Sequence, residues 1–206
     1  MTAAFASGTH ILTARGEVAV EALRQGDAVE TVSGEFRPVS FLGRRRVNCA
    51  RHPRPHDVWP VRVRTDAFAD GVPLRDLLLS PDHAIYLHDM AIPVRSLLNG
   101  LTIAQEAADE VTFWHVELSE RDVIFAEGLP CETYPDNDGR AAFENGGKVI
   151  QLYPDFAPFV SESDDLRRLV ISSDRLTKIR RYLVDRSRRQ GLSIQAGEPR
   201  GNILPG

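Results

Sequence analysis

The stretch Leu77–Ile85, with the sequence LLLSPDHAI, carries the most informative pattern in the chain. A strand-like apolar run delivers a serine, Ser80, and three residues later a histidine, His83. At this spacing both side chains can face one peptide bond. The imidazole then acts as a general acid for a leaving backbone nitrogen, and the hydroxyl orients it or holds the carbonyl. The same pair also suits a structural histidine in a turn, so the stretch alone leaves both interpretations open.

The sequence around this stretch predicts a fold of many short β-strands. Apolar and polar residues alternate over 61–64, 111–118 and 123–125, and Gly, Pro, Asp and Asn interrupt the apolar runs at close intervals. Over the first 155 residues this pattern favours an all-β barrel or sandwich rather than a parallel sheet with crossover helices.

Composition limits the classes of protein to which the chain can belong. Its 206 residues suit one domain, or one domain with a short appendage, and 42% hydrophobic residues are enough to build a core. A formal net charge of −4 argues against a nucleic-acid binder, and without a run of about 18 apolar residues we expect no membrane span. Only two cysteines are present, Cys49 and Cys131, which excludes a disulfide-dense scaffold and a zinc ribbon.

The C-terminal part differs from the rest in charge and in periodicity. Residues 161–206 carry 10 basic and 6 acidic side chains, whereas residues 1–160 carry 15 and 23. Apolar residues at helical spacing predict an amphipathic helix over about 174–190, within a linker and helix unit of 156–191 that precedes a flexible tail, 192–206. We expect the apolar stripe to pack on the β domain or on another chain. The alternative is a basic helix that binds an acidic protein partner.

Seven short blocks follow one another along the chain. They are Gly8-Thr9, Gly26–Val29, Gly43-Arg44-Arg45, Arg75-Asp76-Leu77, Ser80–His83, His115–Leu118 and Ala126-Glu127-Gly128. In their order and spacing they resemble the Hint family of Hedgehog-type and intein autoprocessing domains, and most closely a bacterial branch of that family. The resemblance covers about residues 4–145.

The resemblance implies an all-β, horseshoe-like fold over 4–155 and peptide-bond chemistry in cis. Its substrate would be the chain's own upstream segment, of which residues 1–3 are the remainder. In the family, a thiol at the first residue attacks the preceding carbonyl, and this N-to-S acyl shift turns the amide into a thioester. His83 matches the histidine that protonates the departing nitrogen, and Ser80 matches a hydroxyl that is usually threonine. Water, another nucleophile or a second side chain then releases the thioester.

The chain departs from the family in three places. The first-residue cysteine falls on Ala4, and because a methyl group cannot attack a carbonyl we expect no acyl shift in this sequence. Either Ala4 is an engineered substitution that traps a precursor, or the chain is a naturally silent relative; Ser7 and Thr9 have the wrong spacing to replace the thiol. The stretch Leu129–Thr133 lacks the asparagine with which inteins free a downstream segment, and the acidic residue that activates sterol in Hedgehog domains falls on Gly43. Hydrolysis or transfer to an amine remains.

Three further residues are candidate members of the site. Asp122 lies where inteins often place a residue that assists the later step, and His115 lies in an alternating strand, where it can face the site or solvent. Cys131 lies near the second cysteine of Hedgehog domains, so we expect it close to position 4, where a reversible disulfide could regulate the nucleophile. The alternatives are a turn carboxylate, a solvent-facing histidine and a small buried hydrophobic residue.

The remaining polar clusters are interpreted as surface features, and we expect neither a cofactor nor a metal. His52 and His56 lie in a proline-rich loop at a spacing that fits no standard zinc site, although a metalloenzyme that adds His83 stays a third hypothesis. The run Arg44–Arg46 is interpreted as a solvated strand end, with a grip on a phosphate or a carboxylate as the alternative.

The sequence therefore predicts a self-cleaving Hint-type domain that is disabled at position 4. The alternative is a non-catalytic binding or assembly module on the same scaffold, with helix 174–190 as its docking element. The predicted partners are the upstream polypeptide in cis and a small acyl acceptor. The compartment stays open, because the chain starts without an export-signal pattern while family members are often fused to secreted proteins.

Overall fold

A computed structural model describes residues 3–133, 143–145 and 173–192. Within these residues the chain forms thirteen β-strands and one α-helix, which confirms the predicted mainly-β class with a C-terminal helix. The elements are β1 (Phe5–Ala6), β2 (His10–Thr13), β3 (Gly16–Ala19), β4 (Ala28–Glu30), β5 (Phe36–Asn48), β6 (Val61–Val63), β7 (Leu77–Leu79), β8 (Ala84–Leu87), β9 (Met90–Pro93), β10 (Ile103–Gln105), β11 (Glu110–Leu118), β12 (Val123–Ala126), β13 (Leu129–Glu132) and α1 (Ser173–Arg189).

The strands pair antiparallel in one continuous path. Its order is β10-β6-β7-β1-β11-β5-β4-β2-β12-β13-β8-β9, and β3 pairs with β2 beside the path. The two-residue strand β1 lies between β7 and β11, where Phe5 is opposite Leu79 on one side and Trp114 on the other. This pairing brings the first residues of the chain between the Ser80 block and the strand that carries His115.

The longest strand pair, β5 with β11, shows how alternation sets burial. Successive side chains of a strand point to opposite faces. Gly43, Arg45 and Val47 of β5 are accordingly buried, whereas Arg44 and Arg46 between them are exposed. The pairing extends along the whole of β11 and contains one irregularity near its end. One face of this pair therefore looks into the protein beside β1.

Two apolar clusters fill the interior. The larger one spans most of the strand path and includes Phe5, Leu79, Ile85, Ile124 and Cys131. The smaller one lies beside the start of the chain and consists of Ala4, Ala6, Val47, Cys49, Val58 and Phe113. Each fully buried large aliphatic or aromatic side chain stabilises the fold by roughly 1.5–3 kcal/mol. Residue 4 is thus held in place by packing as well as by its backbone hydrogen bonds to Ser80.

Helix α1 packs its apolar stripe on the β domain, as the first of the two interpretations predicts. Arg186 Nε donates a hydrogen bond to the carbonyl of Asp66 at 2.8 Å, which ties the polar flank of the helix to the same surface. Gly191, with φ of +78°, follows the last turn, and the helix begins and ends one residue earlier than the predicted 174–190. The packed stripe consists of Leu176, Ile179 and Leu183.

Some of the predicted boundaries cannot be compared with the structure. The boundary between residues 155 and 156 and the tail beyond residue 192 lie outside the described residues. In the part of the chain that is described, no helix is both long and apolar enough to cross a bilayer.

Candidate active site

The peptide bond that precedes residue 4 lies directly against Ser80. The amide N–H of Ala4 donates a hydrogen bond to Ser80 Oγ at 3.1 Å, and the Ser80 N–H donates to the Ala4 carbonyl at 3.0 Å. Both residues are completely buried. The nitrogen of residue 4 is the leaving group in any cleavage at this bond, so Ser80 contacts the leaving atom, whereas the sequence pattern assigned its hydroxyl to the imidazole or the carbonyl.

His83 lies at the end of the tight turn that starts at Ser80. Its N–H donates to the Ser80 carbonyl at 3.0 Å, and Pro81 occupies the position where its fixed φ favours such a turn. The imidazole is fully buried and packs on the ring of Phe5, with 4.4 Å between the ring centroids. Ser80 and His83 therefore turn inward together because one turn fixes both.

The environment of His83 keeps its ring neutral. Burial lowers the pKa of His83 to about 4, and the backbone of Ala4 and Glu132 opposes this effect more weakly. Among the described residues, neither ring nitrogen reaches a hydrogen-bond partner of ordinary geometry. A buried polar group without such a partner is costly, and it is a common feature of sites that perform chemistry.

His115 faces the same bond from the neighbouring strand. Phe5 pairs with Trp114, so the antiparallel register places Ala4 beside His115, which is 2% exposed. Burial lowers the pKa of His115 to about 3, the charges of Arg45 and His83 lower it further, and the backbone of Ala3 raises it. A hydrogen bond raises the pKa of an imidazole when the ring N–H is the donor. The acceptor for His115 is therefore the Ala3 carbonyl. Of the two alternatives left open for His115, the structure places it on the inner face.

The prediction that the run Arg44–Arg46 is a solvated strand end is wrong at Arg45. Arg44 and Arg46 are exposed and pair with Glu144 and Glu110, respectively, at 2.7 Å each. Arg45 is only 8% exposed and lies close enough to His115 to depress its pKa. The alternation of β5 was the available signal, because it requires every second arginine to point inward.

A second feature that the sequence did not reveal is Phe143, which covers His115. The two rings pack with their centroids 4.5 Å apart. Phe143 also lies over Gly43, the residue directly opposite His115 in the β5–β11 pair. Nothing in the local sequence pattern around residue 143 indicates that its aromatic ring packs on His115.

Asp122 has other partners than the histidines. Its Oδ2 pairs with Arg37 Nε at 2.9 Å, and its Oδ1 accepts a hydrogen bond from the Val123 N–H at 2.7 Å. Its backbone bonds to Thr133 in both directions. These contacts anchor the start of β12, as expected for a turn carboxylate.

The two cysteines lie in different apolar clusters. Cys131 is completely buried in β13, opposite Ile124 and Ile85, and burial raises the pKa of its thiol. Cys49, not Cys131, shares the small cluster that contains Ala4. The next residue after Cys131, Glu132, contributes backbone to the surroundings of His83, so β13 does border the site.

A metal centre finds no support among the described residues, where no group of three or more His, Cys, Asp or Glu side chains could hold an ion. His52 Nδ1 lies 2.8 Å from the Arg54 carbonyl, and the exposed His56 packs edge-on against Trp59. These histidines lie on the surface, whereas His83 is in the interior.

The chain matches the model of a known protein family over more than half of its length. The sequence model for the Hint domain matches residues 3–138. The chain belongs to the Hint domain family. This match includes Ala4, Ser80, His83 and His115, so the four grouped residues all lie inside the Hint domain. No significant match was found among curated proteins.

Solved structures of Hint-type proteins resemble the chain in fold. The bacterial intein-like domain from Clostridium thermocellum is 18% identical, with a TM-score of 0.49, and the alignment covers 65% of this chain and 100% of that one. The gp41-1 intein is 14% identical, with a TM-score of 0.47 and coverage of 64% and 98%. A DnaB intein from Synechocystis sp. PCC 6803 is 11% identical, with a TM-score of 0.46 and coverage of 65% and 99%.

Proposed function

We propose that this Hint domain is an autoprocessing domain that acts on the peptide bond between residues 3 and 4, and that Ala4 holds it in a non-cleaving form. The observation that carries the proposal is the hydrogen bond from the Ala4 N–H to Ser80 Oγ. It joins the leaving nitrogen to a buried hydroxyl, between two buried imidazoles.

The reaction requires a thiol at position 4. The sulfur would attack the carbonyl carbon of residue 3, so that a C–S bond forms while the C–N bond breaks. The thiol proton ends on the freed amino nitrogen of residue 4, and the step needs no cofactor and no oxidant. Hydrolysis or attack by an amine then breaks the C–S bond and returns a proton to the sulfur.

His83 is suited to carry that proton. It contacts the backbone of residue 4, and its low pKa makes the protonated ring a strong acid toward a poorly basic nitrogen. In this proposal Ser80 orients the leaving nitrogen through their hydrogen bond, and His115 donates to the carbonyl of residue 3, where negative charge develops.

The test is to restore the nucleophile. Ala4→Cys, with a fusion protein attached upstream, is incubated with hydroxylamine or dithiothreitol, and mass spectrometry locates the cut. We expect cleavage immediately before residue 4, and His83→Ala in the same chain should slow it by about 10²–10⁴-fold. His56→Ala removes an exposed histidine outside the site and should leave the rate unchanged. A restored chain that stays intact with both nucleophiles would overturn the proposal.

That outcome would favour the alternative, a non-catalytic assembly module that keeps the Hint fold. The observation on its side is Ala4 itself, because a silent domain has no need of a nucleophile. Its docking surface would be the outer side of α1, where Arg181, Arg188 and Arg189 are exposed. An acidic partner would then bind the intact protein and lose affinity when these arginines are changed to glutamine.

Roles for Asp122 and Cys131 stay predictions. For Cys131, the Ala4→Cys chain can be oxidised without thiols and mapped by peptide mass spectrometry. A link between positions 4 and 131 would support the regulatory disulfide. A link between positions 4 and 49 would replace it, because Cys49 shares the apolar cluster of residue 4.

A further inference from the structure

Residues 143–145, here called the strap, lie along β5 beside the reaction centre. Asn145 accepts a hydrogen bond from the Arg44 N–H at 2.9 Å and donates one to the Leu42 carbonyl at 2.6 Å. Glu144 accepts from the Arg46 N–H at 3.0 Å and donates its own N–H to the Arg44 carbonyl at 2.9 Å. Four backbone groups of β5 therefore fix the strap in one place.

The Phe143 ring of the strap packs in the space that Gly43 leaves by having no side chain. A Cβ atom at position 43 would lie 2.8 Å from ring carbons of Phe143, a distance that real Cβ atoms do not tolerate. The position is in the middle of β5, and its φ is not in the left-handed region, so the backbone itself does not require glycine. The missing side chain makes room for the ring.

The seated ring closes one side of the reaction centre. Phe143 packs on His115, and it is itself only 5% exposed. Ala4, Ser80 and His83 are buried, whereas Ala3 is partly exposed. Among the described residues, the backbone of Ala3 contacts His115 and Phe143 packs on His115, so the Phe143 ring lies close to the carbonyl that a nucleophile attacks.

We propose that Phe143, seated over Gly43, is a specificity-determining residue for the release step, admitting small nucleophiles to the acyl carbon and excluding bulky ones. This inference rests on the proposed autoprocessing function. The released bond is the thioester C–S bond, and the incoming nucleophile forms the new bond to the same carbon. Water and hydroxylamine fit past the ring, and a tripeptide thiol does not.

The test compares two nucleophiles in the Ala4→Cys fusion. The probes are hydroxylamine, which is small, and glutathione, which is bulky, and the readout is the ratio of their cleavage rate constants. Phe143→Ala should raise the glutathione-to-hydroxylamine ratio by at least about tenfold. Gly43→Ala should raise it in the same direction, because the added methyl group expels the ring. The double variant should add little to either single one, since both remove the same contact.

Phe36→Ala is the matched control, because Phe36 is 52% exposed at the start of β5. It should leave the ratio unchanged, and thermal unfolding checks that all variants are folded. If Phe143→Ala and Gly43→Ala both fold and leave the ratio at its parent value, the inference is overturned.

A second measurement separates this inference from the proposed function. In the Ala4 chain, which does not cleave, NMR titration of His115 reports whether the ring shields it. Removal of Phe143 should raise the pKa of His115 from about 3 by at least about one unit, because water reaches the imidazole. An unchanged pKa in both variants would overturn the shielding role even where the restored chain cleaves. A raised pKa in a chain that never cleaves after restoration would overturn only the proposed function.

Discussion

Two buried polar clusters in this domain differ in the kind of partner that their groups have. In the first, the carboxylate of Glu127 accepts from the His10 N–H at 2.7 Å, lies 3.0 Å from His10 Nδ1 and pairs with Arg75 at 2.6 Å. In the second, burial leaves His83 neutral, and the contacts of its ring are with the backbone of Ala4 and Glu132 rather than with a charged side chain. Glu127 ties together chain segments more than a hundred residues apart. The histidine cluster places Ser80 and two buried imidazoles beside one peptide bond.

The difference teaches that burial alone does not identify an active site. Glu127 is 2% exposed and His83 is fully buried, so exposure does not separate them. The partners do, because a carboxylate with a charged partner holds its place in the fold, whereas a neutral imidazole that contacts only backbone retains the capacity to accept a proton.

The largest expected effect is on the pH dependence of stability. The pKa of His83 is about 4 in the folded chain and about 6.5 when unfolded, so the unfolded state binds the proton first as pH falls. Stability is fully present above pH 6.5 and declines toward pH 4, by up to about 1.4 kcal/mol per pH unit for this histidine. His115 adds a similar decline that continues to about pH 3.

Urea unfolding at a series of pH values measures this decline. His83→Gln should flatten the curve between pH 6.5 and 4, and the exposed His88, changed to Asn, should leave it as steep as in the parent. Equal slopes in the parent and in His83→Gln would show that the ring is already charged in the folded protein.

The second largest expected effect is on the free energy of unfolding when the Glu127 carboxylate is removed. Glu127→Ala should lower the free energy of unfolding by about 2–3 kcal/mol, because it leaves the groups of His10 and Arg75 without their shared acceptor. Urea titration at pH 7 gives the value, and Glu120→Ala, at a position 77% exposed, serves as the control. Glu127→Ala is also made in the Ala4→Cys chain and assayed at a temperature where that variant is folded. Its cleavage rate should stay within about threefold of the rate of Ala4→Cys alone. If the cleavage rate fell as far as in His83→Ala, the distinction between a structural Glu127 cluster and a catalytic His83 cluster would be wrong.

The same contrast shows how far the sequence could predict this protein. Alternation along 111–118 predicted β11, and the Ser80–His83 spacing predicted two site residues, because one turn fixes both relative to each other. Arg45 was missed although the alternation of β5 indicates that it points inward, whereas the position of Phe143 depends on which segments of the chain meet. No local pattern reports that β5 lies beside β11 or that residue 143 meets residue 43.

Cys131 illustrates the same limit in another way. Its place was expected from the resemblance, and the structure puts it in the main core, while Cys49 lies in the cluster of residue 4. The sequence separation of Cys49 from Ala4 gave no hint of this, because strands β1, β11 and β5 must first assemble side by side. Local spacing could relate residues within one turn, but it could not by itself relate residues on separate strands.

The smallest expected effect concerns Asp122 and decides to which cluster it belongs. Its carboxylate is paired with Arg37 and with the Val123 N–H, in the manner of Glu127 rather than of His83. Because the Arg37 side chain is 30% exposed, solvent screens the ion pair. Asp122→Asn should therefore shift the melting temperature by only about 2 °C or less and leave the cleavage rate of the restored Ala4→Cys chain within about twofold. If the rate instead falls by about tenfold or more at unchanged stability, Asp122 acts on the release of the thioester. A carboxylate with a charged partner would then belong to the same cluster as His83.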